Sequence, residues 1–174
     1  MTEWFDEVDC NDKVIGKVSR EDAHTYKIRH RAVHIFLQKS TDQWILQKRS
    51  FKKDTEPLTW TSSCSGHVDA AESYLDAAVR ECREELGLQI NRNEFIELLR
   101  CSPSEETGME FIRIYYVERN FPCVFPDYAE IQEISSKSIF EISSDIEVKK
   151  KNFSRSFIYI FQLLHSKLSS LEER

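Results

Sequence analysis

Glu81, Glu84 and Glu85 fall at relative offsets of zero, three and four. On a helix those offsets set three carboxylates on one face. Like charges so crowded repel one another, and the face needs a compensating cation. The residues leave two sources open. Arg80 and Arg83 lie in the same stretch and would make this an ordinary solvated face. The other source is a divalent ion, since hard ions such as Mg²⁺ take carboxylate, water and substrate-phosphate oxygens.

The wider spacing favours the ion. Residues 66–88 fit G-x5-E-x7-R-E-U-x-E-E-x-G-U, with U aliphatic, through Gly66, Glu72, Arg80, Glu81, Glu84, Glu85 and Gly87. At average residue usage a chance match is on the order of 10⁻⁶. Cys82 stands at the first U position, where a small hydrophobe affects packing and not chemistry.

This pattern is the Nudix box, and the chain resembles the Nudix superfamily. The resemblance implies an α/β/α sandwich with a mixed central sheet and a box folded as loop, helix, loop. It implies hydrolysis of a diphosphate linked to some moiety X, in a nucleoside diphosphate derivative or another organic diphosphate. By resemblance Glu81 and Glu85 are metal ligands, Glu84 is a ligand or near-ligand, and the Gly66 carbonyl adds another. Arg80 orients the glutamates and Glu72 braces the loop. The implied cofactor is Mg²⁺, with Mn²⁺ as a substitute. The physics agrees: a phosphoanhydride repels anionic nucleophiles, and a divalent ion screens that charge and positions water. The box leaves the general base open among Glu110, Glu130 and Glu133.

A narrower resemblance covers His24 to His67. His24 through His34, Gln47-Lys48-Arg49 and Trp60 through His67 are similar to the isopentenyl diphosphate isomerase branch of the superfamily. Carried over by position, His24, His30, His67 and Glu110 form an alternative metal site, with Glu110 also the acid/base glutamate. Two departures weigh against isomerisation. The isomerase cysteine directly precedes Gly-His, where this chain has Ser65. Cys64 lies one residue earlier, and one step along a strand reverses side-chain direction. His24 and His30 are also one residue closer together than in the branch. With all the box glutamates intact, the chain looks like one of the hydrolases that resemble the isomerase outside its active site. Isopentenyl diphosphate isomerase is the alternative reading.

The elements that must position these groups follow from pattern. Cys10-Asn11-Asp12 marks the turn of an N-terminal hairpin at about 5–20. Residues 32–37 and 44–49 read as a strand pair, and Trp60–Ser63 as a short strand leading to Gly66. The box helix runs from about Ser73, a plausible N-cap, to Leu86, with Gly87 past its end. Strands follow at 95–101, 111–118 and 131–135, then helices at about 138–148 and 154–171. The last presents Phe157, Ile160, Phe161, Leu164 and Leu168 as a core-facing stripe. His30 and His34 are read first as structural or surface histidines, Cys64 as a buried small residue, and Trp44 and Trp60 as packing. Arg29, Arg31, Lys48 and Arg49 are either a phosphate-binding cluster or solvated.

One Nudix domain over 1–174 is expected, large enough for a good core. A net charge of −6 argues against nucleic-acid polymers and anionic membranes, and no apolar run approaches a bilayer span. The acidic N-terminus lacks a signal-peptide pattern. Five irregularly spaced cysteines point to reduced thiols and a cytoplasmic setting. The expected partner is a small-molecule diphosphate, with monomer and homodimer both open.

Overall fold

Residues 32–37 are apolar except for His34, the pattern of a strand covered on both faces. In the computed structural model, which describes residues 2–172 and side chains through 166, this run is the centre of β3 (His30–Ser40). Before it come β1 (Trp4–Val8) and β2 (Val14–Ser19), an antiparallel hairpin, and a short helix α1 (Arg20–Thr25). Then follow β4 (Gln43–Arg49), β5 (Trp60–Thr61), β6 (Cys64–His67) and the box helix α2 (Tyr74–Leu86). The chain closes with β7 (Phe95–Cys101), β8 (Glu110–Asn120), β9 (Ile131–Lys137), α3 (Ile139–Lys149) and α4 (Arg155–Glu172). No described helix is long and apolar enough to cross a membrane.

The strands other than β1 and β2 form a seven-stranded mixed sheet of order β5-β4-β3-β8-β7, with β6 on β3 and β9 on β4. β3 and β8 are parallel; the other pairs are antiparallel. Alternation divides β3 between two cores. Val33, Ile35 and Leu37 pack with Ala77, Ala78, Cys82 and Leu86 of α2. Ala32 and Phe36 pack on the opposite face with Ile142 of α3 and Phe157, Ile160 and Phe161 of α4. The result is the expected α/β/α sandwich. The Leu168 end of the α4 stripe lies outside the described side chains.

α1 is the element the sequence reading omits. Ser19 caps it by accepting from Asp22 N at 3.1 Å, and Lys27, at φ 53°, turns the chain back toward β3.

Candidate active site

β6 is a partition, and its register decides what faces each side. Directly opposed residues of paired strands share a face. Cys64 opposes Ile35 and Gly66 opposes Val33, so both look toward α2. Ser65 opposes His34 and His67 opposes Ala32, so both look the other way.

On the α2 side, Ser73 accepts from Asp76 N and Gly87 ends the helix at φ 64°. The buried stripe against β3 turns the flank carrying Glu81, Glu84 and Glu85 to β6. These three and Gly66 line one cavity of about 490 Å³, with Lys53 and Glu130 on its wall. The glycine at 66 is required by close approach: a Cβ there would overlap the Glu81 carboxylate.

Arg80 organises the group. Its Nε and Nη2 donate to the two oxygens of Glu72, at 3.0 and 2.8 Å. Nη1 donates to Glu81 at 2.6 Å and Glu84 at 3.3 Å, and Nη2 also to the His67 carbonyl at 3.0 Å. Glu72 in turn accepts from Asp69 N at 3.0 Å, tying loop to helix. Burial, with Glu85 beside it, pushes the Glu81 carboxyl up to about 8 despite Arg80. Glu85 is also raised by burial, although Gln47 Nε2, Cys64 Sγ and Ser65 N all donate to its Oε2, at 2.9, 3.3 and 3.4 Å. Glu84, half-exposed, is the most open of the three helix glutamates. Raised, crowded carboxyls packed against the Gly66 backbone are oxygen donors of the kind that could hold a hard divalent ion.

On the other face His24, His30, His67 and Glu110 converge, with one potential ligand atom from each within 4.8 Å of the others. Parallel pairing sets His30 directly opposite Glu110. His67 Nε2 lies 3.1 Å from Glu110 Oε1 and 3.2 Å from His24 Nε2. His30 Nδ1 pairs with the Ile28 carbonyl at 2.8 Å, so that nitrogen carries the proton. Its buried Nε2 stands 3.5 Å from Glu110 Oε1 and, among the described residues, has no hydrogen-bond partner. Burial, with His67 and His30 nearby, lowers His24 to about 4; burial also lowers His67, against the pull of Glu110. Glu110 is mostly buried, yet the neighbouring imidazoles, with His67 Nε2 in hydrogen-bond range, hold it below the usual carboxylate range. An ionised carboxylate beside His24 and His67, whose proton affinities are depressed, could suit a divalent cation. Beside this cluster opens a second cavity, of about 400 Å³.

The structure sorts the sequence candidates. Glu81, Glu84, Glu85, Gly66 and Arg80 come together, and His24, His30, His67 and Glu110 form a separate group on the far side of β6. Of the three base candidates only Glu130 lines the glutamate cavity, paired with Lys53. Glu133 pairs with Lys48, and Glu110 belongs to the histidines. The proposed basic cluster is dispersed: Arg31 binds Asp12, Lys48 binds Glu133, Arg29 is exposed, and Arg49 lines the histidine-side cavity. Adjacent strand residues point apart, so chain proximity did not gather these charges. His34 is structural, buried with Nδ1 on Ser62 Oγ at 2.8 Å. Trp44 and Trp60 pack on the α4-side core.

The sequence reading gave no site role to Arg20 or Lys53, and quoted Gln47 only within a matching segment. Arg20 lines both cavities and reaches Glu3, Asp54 and His67 Nδ1, at 3.1, 3.0 and 3.3 Å. Ser19-x-x-Asp22, a helix-start signal, could have placed it. Gln47 carries no such signal, being one polar residue in an otherwise ordinary strand.

Comparison with known proteins agrees with this architecture. The NUDIX domain model matches residues 28–143. An uncharacterised Nudix hydrolase of Yersinia pestis is 36% identical over 88 residues, 51% of this chain and 48% of that protein. An isopentenyl-diphosphate Delta-isomerase of Serratia proteamaculans is 40% identical over 117 residues, 66% of this chain and 65% of that protein. The chain thus spans about half to two thirds of the length of these curated relatives. The crystal structure of DR0079 from Deinococcus radiodurans shares the fold, with TM-score 0.80 and 24% identity over 93% of this chain and 99% of that one. With its box residues gathered at one cavity and the domain model covering most of its length, the chain belongs to the Nudix family.

Proposed function

We propose that the protein is a Mg²⁺-dependent pyrophosphohydrolase, able to use Mn²⁺, that cleaves a diphosphate linkage in a small molecule. The carrying observation is the convergence of Glu81, Glu84 and Glu85 with Gly66 on one cavity, braced by Arg80. Glu81, Glu85 and the Gly66 carbonyl would hold the ion, with Glu84 as a further ligand or near-ligand. When bound, the ion screens the phosphates and activates water. Glu130 accepts the proton of the attacking water, and Lys53 and Arg20 offset the charge of the diphosphate. Arg80 keeps the glutamates apart from one another and anchored to the loop. The five cysteines are free, and we place the enzyme in a reducing, cytoplasm-like compartment.

The test is a panel of nucleotide and non-nucleotide diphosphates with Mg²⁺ and Mn²⁺, assayed for released phosphate or cleaved product. Wild-type turnover should fall at least 100-fold in Glu85→Gln and Glu84→Gln. Undiminished turnover in both variants would falsify the assignment.

The histidine group and the 40% identical isomerase support a second reading, isomerisation of isopentenyl diphosphate. His24, His30, His67 and Glu110 would hold its cation. Against it stands Cys64, buried on the α2 side, with Ser65 facing the cavity instead. Incubation with isopentenyl diphosphate separates the two: dimethylallyl diphosphate marks the isomerase, and phosphate or pyrophosphate marks the hydrolase.

A further inference from the structure

Gln47 is 2% exposed on β4, and its two amide atoms are treated very differently. Nε2 donates to Glu85 Oε2 at 2.9 Å. Oε1 is buried without a hydrogen-bond partner among the described residues. The amide cannot be turned to relieve this, because its oxygen would then oppose a carboxylate oxygen. An unpaired buried carbonyl destabilises a fold, and an apolar residue of the same length would avoid that cost. The environment of Oε1 therefore does not explain the glutamine; the bond from Nε2 to Glu85 must.

Glu85 gives the reason. It lies in the last turn of α2, where the helix dipole disfavours an anion, and it is itself buried. Its three donors all reach Oε2. The Cys64 thiol is a weak donor and the Ser65 amide is distant at 3.4 Å, so Gln47 is the strongest tie. Holding one oxygen fixes the plane of the carboxylate and directs the other oxygen elsewhere.

We infer that Gln47 is a positioning residue that selects the Glu85 orientation needed by a divalent cation at the box glutamates. The inference rests on the metal reading of that site. It makes Gln47 an outer-shell partner of the kind whose loss weakens metal binding about 10- to 100-fold. It also sets stability and affinity in opposition at one residue, which a purely structural glutamine would not do.

The experiment uses the full chain with Gln47→Met and Gln47→Leu. Melting temperature is measured without metal, and Mn²⁺ affinity by calorimetry. The expected result is an unchanged or higher melting temperature with Mn²⁺ affinity reduced at least tenfold. Unchanged affinity overturns the inference. So does a lower melting temperature or a failure to fold in both variants, because the glutamine is then structural. Glu85→Gln serves as the control. If it binds Mn²⁺ as wild type does, the glutamate-site reading fails and takes this inference with it. If Glu85→Gln loses Mn²⁺ and the Gln47 variants do not, this inference alone fails.

Discussion

Cys64 Sγ donates to Glu85 Oε2 at 3.3 Å, so the thiol belongs to the glutamate wall and not to the histidine cavity. Burial, with Cys82 and Glu85 beside it, pushes its pKa well above the ordinary thiol value. Such a thiol is a poor nucleophile. In native protein, maleimide should modify exposed Cys10 and Cys123 and leave Cys64 untouched. Ser65→Cys should add a modified site, because residue 65 lines both cavities. Peptide mass mapping reads the outcome, and modification of native Cys64 would contradict the burial.

Gly66→Ala should be as damaging as loss of a ligand. The new methyl would occupy the space of the Glu81 carboxylate and force that side chain from the cavity. The expected loss of Mn²⁺ affinity is about 10- to 100-fold, the scale of a disturbed ligand shell. Calorimetry checks it, and wild-type affinity in a folded variant would show that Glu81 is not needed for the ion.

Arg80→Ala should destabilise the metal-free protein by about 2–4 kcal/mol, since it strands mostly buried Glu72 and Glu81 without their cation. Mg²⁺ should recover part of the loss by supplying charge to Glu81. Urea denaturation with and without 10-fold excess Mg²⁺ over its dissociation constant reads both effects, the second following mass action. Equal losses under the two conditions would separate Arg80 from the ion.

His34 sets a pH limit on stability. Burial lowers its pKa from the usual 6.5 to about 4. Between those values the unfolded chain binds the proton and the folded one does not, so stability is complete above pH 6.5 and declines as pH falls toward 4. The difference amounts to at most about 3 kcal/mol, at about 1.4 kcal/mol per tenfold change in proton affinity. Urea denaturation at pH 7 and pH 4.5 should show the drop. His34→Gln, which can keep the Ser62 hydrogen bond, should show a shallower one. Parallel pH profiles would assign the proton uptake to other groups.

The box helix was legible because its determinants are local. The Ser73 cap, the apolar stripe through Ala78 and Cys82, and Gly87 at its end all lie within one short stretch. The turn of the N-terminal hairpin and the strands around it were legible for the same reason. α1 was not, since six residues are too few to show a helical period; only its cap was visible. Which of the two readings held for Arg29, Arg31, Lys48 and Arg49 was not legible, since neighbours such as Lys48 and Arg49 point to opposite faces of a strand and their partners are fixed by packing.

By itself the sequence determined the family, the sandwich and the helix that carries Glu81, Glu84 and Glu85. It also determined that Cys64 and Ser65 point opposite ways, because a strand alternates with a period of two. Which of them faces which cavity was decided only by pairing in space: Ile35 opposite Cys64 and His34 opposite Ser65. The resemblance had already named His24, His30, His67 and Glu110 together, and the tertiary structure brings them to one place from α1, β3, β6 and β8; it alone set Gln47 of β4 against Glu85 of α2. A single polar residue has no periodicity to read, and its partner is fixed by sheet register and helix packing, which are properties of the whole chain.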